Sequence, residues 1–245
     1  MADPVIGILG AGKLGSTLAR IGVQAGLSIH IGSRHSVADL QWVIDTLAPG
    51  AVTMTAEAVV ATSDIIILAI PLNRYRDLDP TAFAGKIVLD ATNYWAEVDG
   101  TKNLISDFNT SSSEVIQAWL PEALVAKAFN HMGYHDLEIE VDRHPAVPRA
   151  MAYATDHESI KPQVEAVLAR FGFTPFFIGP LRFGLLLEPG SPLFGAAIPE
   201  SEFAAELAKI YTSPYGQKNH CGSRRSNPLT RNRAQARFFL RPTCR

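Results

Sequence analysis

Five apolar residues, Val5 to Leu9, run without a break into Gly10-Ala11-Gly12-Lys13-Leu14-Gly15, and an amphipathic stretch follows at once. Few folds need so sharp a passage from strand to helix. In a parallel α/β sheet the three glycines have separate tasks: Gly10 makes the tight turn, Gly12 lets a ligand approach the backbone, and Gly15 lets the helix pack on the strand. The first N–H groups of such a helix have no partner inside it and face an anion. A dinucleotide pyrophosphate is therefore expected at Gly10, Ala11, Gly12, Lys13, Leu14 and Gly15. The alternative is a purely structural turn.

The rest of the chain keeps the rhythm of strands alternating with helices. Leu14, Leu18, Ile21 and Ala25 recur at helical spacing, as do Val37, Leu40, Ile44 and Leu47, so helices are predicted over 13–24 and 37–47. Ser28 to Ile31, AVTM, DIIILAI, KIVLDAT and Val125 to Asn130 read as buried strands, and PRAMAYAT and FTPFFIG bracket a further helix from about His157 to Phe171. The pattern predicts a Rossmann-type doubly wound parallel sheet of about eight strands. From Gly179 it changes to helical pieces interrupted by Gly190 and Pro192. The expected organisation is a nucleotide-binding domain over 1–178, a small C-terminal helical cap over 179–211 and a basic tail over 212–245.

The end of the second strand decides which dinucleotide fits. An NAD site places an acid there to accept hydrogen bonds from the ribose hydroxyls. Here the sequence is IHIGSRHS. A Ser33 hydroxyl and an Arg34 guanidinium suit a 2′-phosphate instead, which predicts NADP(H). Strand ends elsewhere add Ile70 and Pro71, then Thr92 and Asn93, then Asn130, His131 and Met132, all at the carboxyl edge where such sheets bind ligands. His131 and His135 have the spacing of a helical metal pair, but Gly133 breaks the helix and no third ligand is specified, so no metal is expected. His131 is instead a candidate ligand contact. No nucleophile elbow or carboxylate pair supports hydrolysis, and the acids from Leu137 to Asp142 read as a solvated edge.

With 47% hydrophobic and 19% charged residues the chain can bury a sizeable core. Its net charge of −2 is unevenly placed, because eight of the 22 basic residues follow Tyr211 and no acid follows Glu206. The tail has no nucleic-acid motif and reads as a disordered extension. Both cysteines, Cys221 and Cys244, lie in it, so redox chemistry in the body needs a borrowed cofactor. No apolar run reaches the roughly 20 residues of a membrane span and no leader is evident at the start, so a cytoplasmic location is expected.

Taken together, GILGAGKLGSTLAR, IGSR, LAIP, DATNY, AKAFNHMGY and LEPGSPLFG resemble the coenzyme F420-dependent NADP oxidoreductase family, over roughly Val5 to Tyr211. The resemblance implies hydride transfer between NADPH and the deazaflavin F420, in a homodimer whose C-terminal portion closes the deazaflavin site. It places the phosphate loop at Gly10 to Gly15, the 2′-phosphate pair at Ser33 and Arg34, and a strand-end contact at Ile70 and Pro71. Asn130, His131 and Met132 fall near the two rings, with His131 orienting the deazaflavin, and Leu193 falls in the covering segment. Two other readings share the glycine loop: an NADPH-dependent reductase of imines or another small acceptor, and a redox sensor that binds NADPH without turnover.

Overall fold

The computed structural model describes residues 3–100, 110–142 and 149–216. Its first half follows the predicted alternation: β1 (Ile6–Leu9), α1 (Lys13–Gln24), β2 (Ile29–Ser33), α2 (Val37–Leu47), β3 (Val52–Thr55), α3 (Ala56–Thr62), β4 (Ile65–Leu68) and β5 (Ile87–Asp90). A single turn, α4 (Ala96–Asp99), leads toward α5 (Ser112–Trp119) and β6 (Leu124–Lys127). Then come α6 (Tyr134–Asp142), β7 (Ala150–Thr155), α7 (Lys161–Arg170), β8 (Thr174–Gly179) and α8 (Glu200–Thr212). The strands form one sheet in the order β3-β2-β1-β4-β5-β6-β7-β8. The Rossmann-type expectation and its eight strands hold.

The sheet is not wholly parallel. β1 to β6 run the same way, but β7 pairs antiparallel with β6, Lys127 opposite Ala154, and β8 lies parallel to β7. The starts of β7 and β8 therefore share an edge with the ends of β1 to β6. β6 is also shorter than the stretch Val125 to Asn130 predicted for it. Phe129 takes a φ of 64°, an uncommon left-handed backbone for an aromatic residue, and ends the strand there. Burial of its ring against Phe171, at 5.1 Å between centroids, offsets a cost of about 1–2 kcal/mol.

The acids from Leu137 to Asp142 do not form a loose solvated edge. They belong to α6, whose Leu137 is fully buried and whose Glu138 pairs with Arg20 of α1 at 2.6 Å. Helical spacing puts Leu137 inward and Glu138 against α1, while Glu140 pairs with Arg149 at 2.5 Å.

The two faces of β7 divide the core. Met151 and Tyr153 face the main cluster under α1 and α7, while Ala150, Ala152 and Ala154 face the C-terminal segment. Small side chains on that face allow close approach, and Phe183, Leu186, Leu187, Leu193, Phe203 and Leu207 pack there, each 2% exposed or less. At about 1.5–3 kcal/mol per large apolar side chain buried, this contact holds the cap onto the sheet. The contact continues beyond residue 211, where Tyr215 donates its hydroxyl hydrogen to Leu185 O at 3.0 Å. Residues 217–245, with Cys221 and Cys244 and most of the basic tail, lie outside the described residues.

Candidate functional site

The glycine loop is built as the spacing predicts. Gly10 has a φ of 107°, and a Cβ there would lie 2.3 Å from Ala69 O. A Cβ on Gly15 would lie 1.8 Å from Gly10 O, so helix and turn touch backbone to backbone. Around Gly12 nothing lies within 4 Å of the place a Cβ would take. That open space is the cradle a pyrophosphate needs. Gly12 also caps α1 without a side-chain hydrogen bond, and no acid sits in the first turn. The first bond inside the helix runs from Ser16 N–H to Gly12 O at 2.9 Å. Lys13, Leu14 and Gly15 thus precede it, and their N–H groups suit an anion. The side chain of Lys13 turns aside, its Nζ 5.4 Å from the centre of the Tyr134 ring.

Ser33 ends β2, and its Oγ accepts a hydrogen bond from His35 N–H at 3.2 Å. Arg34 is exposed and makes no ion pair among the described residues. With no carboxylate at this strand end, the residues fit the phosphorylated dinucleotide. Ile70 and Pro71 follow β4, half-buried and exposed, and Ala69 N–H donates to Leu9 O at 2.8 Å, which sets that turn beside Gly10.

At the β5 and β6 ends the predicted residues meet, though their side chains are already engaged with one another. Asn93 Nδ2 donates to Asn130 O at 2.9 Å, and Asn130 Nδ2 donates to Asn93 Oδ1 at 3.0 Å and Leu187 O at 2.7 Å. The pair ties the two strand ends to the cap. Buried Oδ1 of Asn130 and Oγ1 of Thr92 have no partner, so this edge retains hydrogen-bonding capacity that the chain itself does not use.

His131 is fully buried and does not line an open mouth. Its Nε2 accepts a hydrogen bond from Ala152 N–H at 3.1 Å, which leaves the proton of the neutral ring on Nδ1, an atom without a partner. Burial holds the imidazole pKa down to about 4. His135 stands outside, stacked on Tyr134 at 4.1 Å, so the two histidines do not converge. Met132 and Leu193 are core residues, in the main cluster and the cap cluster respectively.

Two features were not read from the sequence. Trp95, 44% exposed, meets Phe194 edge-on at 5.7 Å between ring centroids. Trp95 lies two residues beyond Asn93, and Gly195 N–H, next to Phe194, donates to His131 O at 2.7 Å. The aromatic pair therefore stands where the β5 and β6 ends meet the cap. The other is a buried ionic cluster around Lys127 and Asp90, each wholly inaccessible to solvent, joined by Glu188 of the cap. A lysine at a strand end and an acid in a cap segment carry no local signal of their pairing.

Comparison with known proteins agrees with this geometry. Residues 5–94 match the model of the family described as NADP oxidoreductase, coenzyme F420-dependent. The rat metalloreductase STEAP3 is 29% identical over 184 residues, 73% of this chain and 34% of its own length. The chain thus spans about a third of that relative. Among solved structures, the hypothetical protein SMa0349 of Sinorhizobium meliloti superposes with a TM-score of 0.72 at 25% identity, covering 80% of this chain and 96% of that one. A protein of Arthrobacter sp. FB24 assigned as an F420-dependent NADP reductase superposes at 0.62 with 20% identity, covering 84% and 90%, and supports the fold. No helix among the described residues is long and apolar enough to cross a membrane. Over residues 5–94, a little over a third of its length, the chain is thus similar to the family of coenzyme F420-dependent NADP oxidoreductases.

Proposed function

We propose that this protein transfers a hydride between NADPH and a deazaflavin acceptor, coenzyme F420. The observation that carries the reading is the absence, among the described residues at the β5 and β6 ends, of a titratable side chain free to deliver a proton. His131 is neutral and enclosed, Lys127 is fully committed, and the two asparagines bind each other. Reducing a carbonyl or an imine calls for a positioned acid at the oxygen or nitrogen. Hydride passage between two flat rings calls mainly for their alignment.

In this reading the N–H groups of Lys13, Leu14 and Gly15 bind the pyrophosphate, and Ser33 and Arg34 bind the 2′-phosphate. Ile70 and Pro71 support the middle of the dinucleotide. Asn93 and Asn130 frame its nicotinamide end and Trp95 and Phe194 shape the acceptor side, with the buried His131, Met132 and Leu193 supporting them from the core. When bound, NADPH supplies the hydride and leaves as NADP⁺, and a solvent proton completes the reduction of the acceptor. The reading includes a homodimer, which light scattering on the full chain checks.

The test mixes purified protein with NADPH and oxidised F420 and follows deazaflavin absorbance, with NADH in parallel. Bleaching with NADPH and not with NADH is expected. Tight NADPH binding without bleaching would overturn F420 as acceptor and favour the sensor or a different acceptor.

A further inference from the structure

Lys127 brings a cation into the core, where an ion pair adds little to stability compared with apolar packing. Its three donors are all used. Nζ donates to Thr92 O at 2.6 Å, to Ser112 Oγ at 2.7 Å and to Asp90 Oδ2 at 3.2 Å, with Glu188 Oε1 3.8 Å away. Asp90 in turn accepts from Thr92 N–H at 2.9 Å and from the Ser113 hydroxyl. Ser112 has one hydroxyl hydrogen, and it goes to Glu188 Oε1 at 2.8 Å, leaving the oxygen lone pairs for Lys127. Glu188 Oε1 also accepts from Ser112 N–H at 2.8 Å, in the first turn of α5.

These bonds close a ring. From Lys127 the path runs through Thr92 to Asn93, across to Asn130, on to Leu187 O, along the chain to Glu188, and back through Ser112 to Lys127. It joins the ends of β5 and β6, the start of α5 and the cap. The ring encloses no residue of the glycine loop or of the β2 end. Resting on the nucleotide reading above, we propose that Lys127 is a positioning residue, which ties the nicotinamide end of the site to the cap so that cap seating sets the affinity for the nicotinamide half alone.

The experiment compares two ligands on the full chain: NADPH, titrated by its fluorescence, and adenosine 2′,5′-bisphosphate, which lacks the nicotinamide, titrated by calorimetry. Lys127→Met is expected to weaken NADPH roughly tenfold and to leave the bisphosphate within about twofold. Glu188→Gln, which keeps shape and acceptor, is expected to weaken NADPH about threefold and to have less effect when Lys127 is already Met. If Lys127→Met fails to fold, Glu188→Gln carries the test alone. Equal losses for both ligands, or unchanged NADPH affinity in Glu188→Gln, would overturn the positioning role. A wild-type protein that binds neither ligand would instead overturn the nucleotide reading itself, and the positioning role with it.

Discussion

The two halves of the candidate site are made of different materials. On the side of β1 and β2 the ligand surface is backbone and one exposed guanidinium: an open glycine cradle, an uncapped helix start and Arg34. On the side of β5 and β6 it is a buried lattice of amides and charges locked to the cap. The first half is built mostly from one continuous stretch, residues 5–34, braced by Ala69 after β4. The second depends on four segments meeting, so its shape is a property of the whole domain, and damage there spreads further.

The largest effect expected is in the first half. Gly10→Val forces a branched side chain onto a left-handed backbone and into Ala69 O, which should cost roughly 3 kcal/mol or more in urea unfolding and abolish NADPH binding. An unchanged unfolding midpoint would mean that the turn is softer than the second half and would reverse the contrast.

Next comes acid sensitivity, which should belong to the second half. At pH 7.5 the His131 ring is neutral folded and unfolded. As pH falls through 6.5 the unfolded chain takes up the proton, and the folded chain does not until about 4. Stability should therefore drop across that window by on the order of 3 kcal/mol. Urea midpoints at several pH values check this, and His131→Asn should flatten the profile relative to wild type.

Arg34→Ala should weaken NADPH by roughly tenfold to a hundredfold, the range for a charge-assisted bond, and leave NADH unchanged. Because Arg34 is exposed and makes no side-chain hydrogen bond or ion pair among the described residues, the unfolding curve should not move. A loss shared by NADH would indicate damage to the loop rather than loss of phosphate recognition. The smallest effect should follow Trp95→Ala, which removes one aromatic edge contact of about 1 kcal/mol. The acceptor KM should rise about fivefold at constant NADPH KM.

The same contrast explains what was legible in the sequence. Gly10, Gly12 and Gly15 act within a dozen residues of each other, and spacing alone shows their roles. Lys127, Asp90 and Glu188 are far apart in the chain, and no periodicity links them. Asn93 and Asn130 were readable as strand-end polar residues, but not as partners of one another. The antiparallel β7 was missed for a related reason. A buried strand is apolar whichever way it runs, so PRAMAYAT carries no sign of direction, and only its pairing with β6 supplies one.

The alanine face of β7 has one more consequence. Ala150, Ala152 and Ala154 already hold the cap almost as near the sheet as side chains permit. Substitution there acts as a shim that works in one direction: every larger residue raises the cap, and only glycine could let it settle lower. A lineage carrying this fold can therefore lift the cap by single steps on β7, whereas lowering it calls for changes somewhere else.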